Sequence, residues 1–434
     1  MILRTEEHGY KIVAITCLAF LAVAFMCTPT HAVDQRFGPW LFDLSLELTA
    51  KYDDNIDLQP DTPDDPVKDD VVFHISPAIH FGYEERQTSM RLIYTNNISL
   101  YDEYNENNSE GDDHRVGLEV SHTFGRHVTL EAKNLFISTS DPARRSLAEV
   151  IHDAGVIPPR TDTLTNYTDL LFHWNISQMR TIRFGAGADI SRYDQPEDPD
   201  SISRVDQNVY SVTMGWEERI TRRNAFVVDV KGAWFELDPS GDLPGTVRSY
   251  ELAIGDRISL PAEMSLLLMA GGAYSEGEIT ITEEFFFKDG TGTLILTDKE
   301  KEEKIDDWTY SLRASLTKEL EPLVFFIDGF KSIIGTGLHV PFDNMGVKGG
   351  IKWKILSSLN AFAAAGYTRS ESISGETEFD QVVTDVGIAW AFSPWLSATA
   401  GYTFIHQDSR ETNDFDMDNH RASLGLSLSL PDLK

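Results

Sequence analysis

Apolar and polar residues alternate with a period of two through most of the chain. Over residues 40–51, the apolar parity consists of Trp40, Phe42, Leu44, Leu46, Leu48 and Ala50. The other parity is polar from Asp43 to Lys51. Such alternation is typical of a β-strand with one apolar face and one solvated face. It returns over residues 71–83, 182–191, 308–317, 382–392 and 421–430, so the pattern predicts an all-β chain.

The predicted strands run for about 10–13 residues, roughly twice the mean strand length of soluble proteins. A tilted strand needs about 9–11 residues to cross a bilayer. Lipid offers no hydrogen bonds, so such a strand needs one apolar face, while its other face can carry polar groups into a lumen. Aromatic side chains favour the membrane interface, and several fall near strand ends: Trp40, Tyr83, Trp174, Trp216, Trp234, Trp308 and Trp390.

The predicted connections alternate between short and long. Short turns fall near residues 85–88, 125–127, 177–180, 218–223, 261–263, 319–322, 357–358 and 393–394. Longer connections join the resulting pairs, as in outer-membrane barrels with short periplasmic turns and long external loops. The alternation predicts an all-β fold, a transmembrane antiparallel up-and-down β-barrel of about 18 strands.

Three segments leave the strand number open between about 16 and 20. Residues 264–274 and 323–331 are apolar on both parities. Residues 277–305 contain two extended stretches around Lys288-Asp289-Gly290-Thr291-Gly292, which is a hairpin pattern. We expect this last segment to stand above the membrane as a hairpin.

The N-terminal segment has the pattern of an export signal. Arg4 and Lys11 precede an apolar run over residues 12–26, which is shorter than the roughly 20 residues of a membrane helix. Thr30 and Ala32 supply the small residues of a cleavage site. We expect a signal peptide over residues 1–32, a single barrel over residues 33–434, and a location in the outer membrane of a Gram-negative bacterium.

Composition and charge exclude several other classes. Asp and Glu number 69 against 37 Lys and Arg, which argues against a nucleic-acid partner. Both cysteines, Cys17 and Cys27, lie in the predicted signal peptide, so thiolate metal sites and disulfides are not expected beyond it. No HExxH, GxSxG or P-loop motif occurs. We therefore expect no catalytic residues and no enzyme activity.

Two short motifs carry a resemblance to a known family. Tyr52-Asp53-Asp54-Asn55-Ile56 follows the first predicted strand, and Asp69-Asp70-Val71-Val72 leads into Ile75-Ser76-Pro77. The chain resembles the β-barrel porin 2 type of outer-membrane protein, often associated with exopolysaccharide or exosortase loci. The ending differs from many outer-membrane barrels, because Leu430-Pro431-Asp432-Leu433-Lys434 lacks a terminal aromatic residue.

The resemblance implies a location and an architecture rather than a solute. It implies contact with outer-membrane lipid and lipopolysaccharide, insertion by the barrel-assembly machinery, and an association with polysaccharide-export machinery. The substrate, the oligomeric state and any loop that plugs the lumen are left open at this point.

The first acidic loop has a weak likeness to a calcium loop. Asp53, Asn55 and Asp57 place oxygen ligands at alternate positions, but Gly at the sixth position and Glu at the twelfth are missing. The alternative is a solvated acidic loop. Ca²⁺ or Mg²⁺ that bridges the acidic loops diffusely to lipopolysaccharide would need no dedicated site. No other cofactor is expected.

Charged residues on the polar parity are the better functional candidates. They are expected to line the lumen as a charged constriction that filters solutes or as cross-strand ion pairs that stiffen the wall; both interpretations stay open. The pore-lining candidates are Arg91, Arg115, Glu119, Arg183, Asp189, Asp229, Glu251, Arg257, Arg313, Lys352, Asp385 and Arg421.

Two functional hypotheses follow. The first is an outer-membrane channel for passive solute passage or polysaccharide export, since about 16–18 strands leave an aqueous lumen. The second is a non-conducting structural or adaptor barrel in an envelope or exopolysaccharide assembly. Glycines on the polar parity, such as Gly185, Gly215 and Gly387, are expected to leave the lumen open. Acidic loops at the mouth predict a weak cation preference that fades at high salt.

Overall fold

The structure, a computed structural model, describes residues 39–58, 66–139, 162–193, 206–237, 245–288, 294–334, 341–373, 378–410 and 416–429. These residues form one antiparallel sheet of 18 strands, in which each strand pairs with its neighbour in the chain. The predicted signal peptide lies outside the described residues. The strands are β1 (Trp40–Asp53), β2 (Asp70–Glu85), β3 (Thr88–Tyr101), β4 (Ser109–Phe124), β5 (Val128–Thr139), β6 (Thr163–Asn175), β7 (Arg180–Tyr193), β8 (Gln207–Arg219), β9 (Asn224–Leu237), β10 (Gly245–Leu260), β11 (Met264–Lys288), β12 (Leu294–Leu320), β13 (Leu323–Ile334), β14 (Phe342–Leu356), β15 (Leu359–Ser372), β16 (Glu378–Ser393), β17 (Leu396–Ser409) and β18 (Met417–Ser429).

The sheet closes on itself because β1 pairs with both β2 and β18. Closure leaves no unpaired edge, which is how a barrel satisfies its backbone hydrogen bonds without water. The prediction of an all-β antiparallel barrel of 18 strands is confirmed. A short 3-10 helix, Asn105–Asn107, lies between β3 and β4. Among the described residues, no helix is long and apolar enough to span a membrane.

The ambiguous segments resolve as strands. Residues 264–274 begin β11, and residues 323–331 lie in β13. The hairpin prediction for residues 277–305 is also confirmed, because β11 and β12 stay paired from Met264↔Lys318 to Lys288↔Leu294. This β11–β12 hairpin is longer than the other strand pairs and extends the wall beyond them.

The two ends of the barrel differ. We call the end with the eight short connections, such as those after Glu85 and Phe124, the short-turn end. The opposite end, where β1 ends at Asp53 and β18 begins at Met417, is the long-connection end. The predicted alternation of short and long connections is confirmed.

The outer face of the barrel is apolar, as the period of two requires. Exposed side chains on this face include Leu44, Ile79, Val230, Leu268 and Leu426. Aromatic residues mark both ends of this apolar belt. Trp40 stacks on Phe81 with ring centroids 5.1 Å apart near the short-turn end. Near the long-connection end, the ring centroids of Tyr274 and Trp308 lie 4.8 Å apart, and Trp308 is 73% exposed.

The lumen wall as candidate functional site

The register places all twelve predicted pore-lining residues on the parity opposite the apolar belt. The ladder pairs Arg91 with Glu119 and Arg183 with Gly215, while the alternate positions Leu92 and Phe184 are exposed outward. The charged parity therefore forms the inner face. What differs among the twelve residues is the set of contacts that each one makes.

On the wall from β7 to β12, three of the candidates join in one ion network. Arg183 Nη2 lies 3.2 Å from Asp229 Oδ1, and Arg313 Nη1 lies 3.6 Å from Asp229 Oδ2. The Arg183 side chain reaches Asp229 by crossing Gly215 on the intervening strand, because Arg183 pairs with Gly215 and Gly215 with Asp229. This wall fits the interpretation of cross-strand ion pairs.

Two further charges on the same wall have polar partners. Arg257 Nε lies 3.5 Å from Glu217 Oε2. Glu251 is opposite Lys231 in the ladder, but their side chains are not within ion-pair distance. On the same wall, Ser191 donates a hydrogen bond to Asp189 Oδ1 at 3.3 Å. Outside this wall, Thr403 on β17 donates a hydrogen bond to Asp385 Oδ1 on β16 at 3.2 Å.

The wall from β3 to β6 has a different character. Arg91, Arg115 and Glu119 are exposed there, and so are two residues that the sequence prediction missed, Lys133 and Asp169. The prediction named neither Lys133 nor Asp169, although both lie on the parity opposite the outward-facing Leu130 and Leu170.

Two recesses indent this second wall. A recess of about 500 Å³ is lined by residues that include Asp43, His80, Arg91, Glu119 and Lys133. A second recess, of about 350 Å³, shares Glu119 and Lys133 and adds Arg115 and Asp169. Their volumes fall in the range of small-molecule sites. Lys352, on the facing part of the barrel, is exposed and pairs in the ladder with Phe362.

The twelfth candidate, Arg421, is buried at the seam where the barrel closes. Its Nε atom lies 3.2 Å from Asp53 Oδ2, and Lys51 Nζ lies 3.0 Å from the same oxygen. Asn419 Nδ2 donates to Asp53 Oδ1 at 2.6 Å and to the carbonyl of Asn55 at 3.0 Å. Asp53 is therefore an internal anchor and not a charge of the mouth.

The calcium candidates are engaged by protein groups. Asp53 faces Lys51 and Arg421, and Asp57 Oδ2 accepts a hydrogen bond from Lys68 at 2.8 Å. Asn55 donates its side-chain amide to the carbonyl of Asp418 at 3.2 Å. Across the described ranges, no group of three or more His, Cys, Asp or Glu side chains is arranged to hold a metal ion.

Asp70, from the motif Asp69-Asp70-Val71-Val72, anchors the backbone of a neighbouring loop. The buried carboxylate of Asp70 accepts hydrogen bonds from the backbone N–H groups of Asp102, Glu103 and Tyr104, at 3.1–3.2 Å. Backbone N–H groups of three successive residues that donate to one carboxylate hold the loop that donates them in place. The sequence pointed to Asp70 through its motif, but the donors lie over thirty residues away.

Outside the strands, the guanidinium of Arg410 follows β17 and forms two short contacts. It donates to Asp380 Oδ2 at 2.7 Å and lies 2.9 Å from Glu378 Oε1. The hydrogen bond to Asp380 is the main cause that raises the pKa of Arg410 above its usual value. The charges of this rim segment are therefore paired with each other.

The inner face is shielded from solvent toward the long-connection end. Within the described ranges, sixteen of the strands each contribute a buried inner-face residue there: Asp53, Val72, Ser99, Asp113, Thr165, Ser191, Gln207, Leu237, Val247, Ser275, Ser311, Asn344, Ser370, Gln381, Gln407 and Asn419. We call this set the shielded ring. Toward the short-turn end, Glu47, Arg91 and Lys352 are exposed, so solvent reaches the inner face from that side.

The inner-face glycines do not simply leave space open, as the sequence suggested. A Cβ atom on Gly215 would lie 2.8 Å from Asp229 Oδ1, and one on Gly185 would lie 2.3 Å from Thr213 Oγ1. At Gly387 the neighbouring ring of Phe362 would be 2.6 Å away. Side chains of adjacent strands lie over these glycines, which therefore serve close packing of the wall.

Comparison with known proteins gives structural likenesses only. No protein-family model matches the chain, and no curated protein is significantly similar to it. Similar solved structures include the unliganded ferric citrate transporter FecA, at 11% identity and a TM-score of 0.46, over 90% of this chain and 64% of that one. Pseudomonas aeruginosa OpdK with vanillate is 11% identical over 89% of this chain and 98% of that one, with a TM-score of 0.42. Pseudomonas aeruginosa OpdL is 12% identical over 90% and 98%, with a TM-score of 0.41. At these identities and TM-scores, function has to be argued from the chain's own geometry.

Proposed function

We propose that the protein is an outer-membrane channel for the passive passage of small polar solutes. The observation that carries this proposal is the contrast between the two faces of one closed barrel. The outer face exposes side chains such as Leu44, Val230 and Leu426, whereas the inner face exposes Arg91, Glu119 and Lys133. Apolar surface of this extent is stable in lipid and costly in water.

The number of strands, 18, also supports the channel. Barrels of about 16–18 strands are wide enough to leave an aqueous path when loops and side chains do not fill it. Solvent-exposed charges on the inner face are the groups expected along such a path. Passage then requires that the shielded ring open or leave a gap at the long-connection end.

The shielded ring favours a second candidate, a non-conducting structural or adaptor barrel. Its buried residues include Leu237 and Val247, which pack in an apolar cluster with Phe235, Ile279 and Ile305. An apolar, shielded end would suit a barrel that binds a partner and passes no solute. The resemblance to exopolysaccharide-associated barrels supplies the partner class for this candidate and, for the channel, the narrower possibility of polysaccharide export.

Planar bilayer recording separates the two candidates. The purified barrel, shown to be folded by heat-modifiable migration on gels, is expected to produce discrete conductance steps in KCl. A folded barrel that never conducts would overturn the channel and leave the adaptor. Fractionation of the cell envelope tests the location, and protein in the aqueous phase without detergent would overturn both candidates.

The remaining expectations about partners belong to the same proposal. Outer-membrane lipid and lipopolysaccharide would surround the apolar belt, and the barrel-assembly machinery would insert it. The apolar belt, with Trp40 and Trp308 near its two ends, supports the expected contact with outer-membrane lipid.

A further inference from the structure

A row of four alternating charges crosses the exposed wall from β3 to β6. Arg91 is opposite Glu119 in the ladder, Glu119 is opposite Lys133, and Lys133 is opposite Asp169. Neighbouring strands lie about 4.8 Å apart, so positive and negative groups alternate at that spacing. We call these four residues the charge row.

The charge row differs from the paired wall in what its side chains touch. All four are exposed to solvent in the lumen. Among the residues that the structure describes, none of the four lies within ion-pair distance of an opposite charge. On the paired wall, by contrast, Arg183 and Arg313 both contact Asp229. The charge row therefore presents its charges to the lumen instead of satisfying them within the wall.

The recesses place the middle of the charge row against open space. Glu119 and Lys133 line both the recess of about 500 Å³ and the recess of about 350 Å³. Arg91 adds a positive charge at the first recess, and Asp169 adds a negative charge at the second. A small solute resting in either recess thus meets charges of both signs.

We propose that the charge row binds zwitterionic solutes whose ammonium and carboxylate groups lie about one strand spacing, ~5 Å, apart. This inference rests on the proposed function, because it assumes that solutes enter the lumen. An anion near Arg91 and Lys133 also meets Glu119 between them, and a cation near Glu119 and Asp169 also meets Lys133. A singly charged solute therefore gains little, whereas a dipolar solute finds an opposite charge for each of its groups.

Binding of this kind is expected to be weak and rapidly reversible. Exposed ion pairs in a wet lumen are screened by water and salt. A channel requires sites that are favourable enough to enter and weak enough to leave. The charge row would thus select zwitterions during passage without trapping them.

The test measures binding by the full-length mature barrel in detergent micelles, by calorimetry at low salt. The probe is 4-aminobutyrate, and the matched single-charge probes are butyrate and n-butylamine. We expect saturable binding of 4-aminobutyrate that is several-fold tighter than that of either single-charge probe. Equal affinity for the three probes would overturn the proposal.

A charge swap gives the sharpest variant. Glu119→Lys combined with Lys133→Glu keeps the net charge and the composition but changes the order along the row from alternating to two positive followed by two negative groups. We expect this double variant to lose most of the preference for 4-aminobutyrate. Lys133→Gln should weaken the binding, whereas Lys354→Gln, at an exposed lysine on β14 outside the charge row, should not. Equal effects of the two lysine substitutions, or an unaffected charge swap, would contradict the charge row.

The failure of this inference is distinguishable from the failure of the channel. Calorimetry does not depend on conduction, because the recesses lie on the part of the wall that solvent reaches. A barrel that conducts KCl but shows no preference for 4-aminobutyrate would overturn zwitterion binding by the charge row and leave the channel proposal standing. A barrel that binds 4-aminobutyrate selectively but never conducts would support the charge row and overturn the channel.

Discussion

Arg421 on the last strand and Asp53 on the first strand form a buried ion pair that spans the seam of the barrel. The Nε atom of Arg421 lies 3.2 Å from Asp53 Oδ2, and the two residues are directly opposite in the β1–β18 ladder. Asp53 is 3% exposed and Arg421 is 7% exposed. The pair thus stabilises the one strand contact that joins the two ends of the sheet.

Asp53→Asn is expected to destabilise the barrel strongly. The change leaves Arg421 and Lys51 without their shared carboxylate, and breaking a buried ion pair from one side costs about 3–5 kcal/mol. The temperature at which the folded band converts to the unfolded band on gels measures the effect. Asp57→Asn is the matched control, since its pair with Lys68 is more exposed and should contribute less than about 1 kcal/mol. Equal shifts for the two variants would contradict the anchoring role of Asp53.

A weak preference for cations over chloride is expected at low salt. The chain has a net charge of −32, and acidic groups near a mouth raise the local concentration of cations. The preference should vanish near 1 M salt, where the screening length falls to about 3 Å. Reversal potentials in KCl gradients measure it. Glu103→Gln removes an exposed charge at the long-connection end and should reduce the preference slightly, whereas an anion preference at low salt would refute the argument.

Asp53 belongs to an acidic loop that the sequence places at the mouth, but neutralising Asp53 is not a suitable test of cation selectivity. The side chain is buried against Lys51 and Arg421, so its neutralisation would change stability before it changed the field at the mouth.

Cysteine accessibility is expected to report the shielded ring directly. Both native cysteines lie within residues 1–32, so a barrel produced as residues 33–434 has no cysteine of its own and single introduced cysteines can be labelled without background. A membrane-impermeant thiol reagent should label Glu47→Cys, which is exposed on the inner face, and should not label Gln407→Cys, which is 1% exposed. Equal labelling rates in the folded barrel would show that the long-connection end is open to solvent.

Two adjacent glycines of β11 should differ in their tolerance of the same substitution. A Cβ on Gly271 would lie 1.8 Å from the carbonyl oxygen of Leu252, a backbone atom that cannot move aside. A Cβ on Gly272 would meet nothing closer than 3.8 Å. Gly271→Ala should lower the unfolding temperature markedly or prevent folding, while Gly272→Ala should leave the temperature unchanged. A tolerated Gly271→Ala would contradict the close approach of β10 and β11.

Much of the fold could be predicted from the sequence because its signal is local. The alternation over residues 40–51 assigns the faces of β1, since successive side chains of any strand point to opposite sides. The position of the short turns, such as the one after Glu85, then indicates the number and order of the strands. Lys133 was not named among the lining residues, although the polar parity of β5 places it on the inner face.

The partners of the inner-face charges were beyond the reach of the sequence. Arg183 and Asp229 belong to strands separated by β8, and they meet because Gly215 leaves a path for the arginine side chain. No pattern of period two distinguishes this paired wall from the charge row, where Glu119 and Lys133 face open recesses. The difference depends on register and on the side chains of neighbouring strands.

The sequence by itself determined that this chain forms a long-stranded antiparallel barrel with one apolar and one charged face. These properties follow from the backbone period of two and from turn residues, which act over a few positions. Only the tertiary structure decided that Asp53 closes the seam with Arg421, that one wall pairs its charges while another exposes them, and that the long-connection end is shielded. Each of these depends on contacts between residues far apart in the chain, and ring closure and strand register bring such residues together.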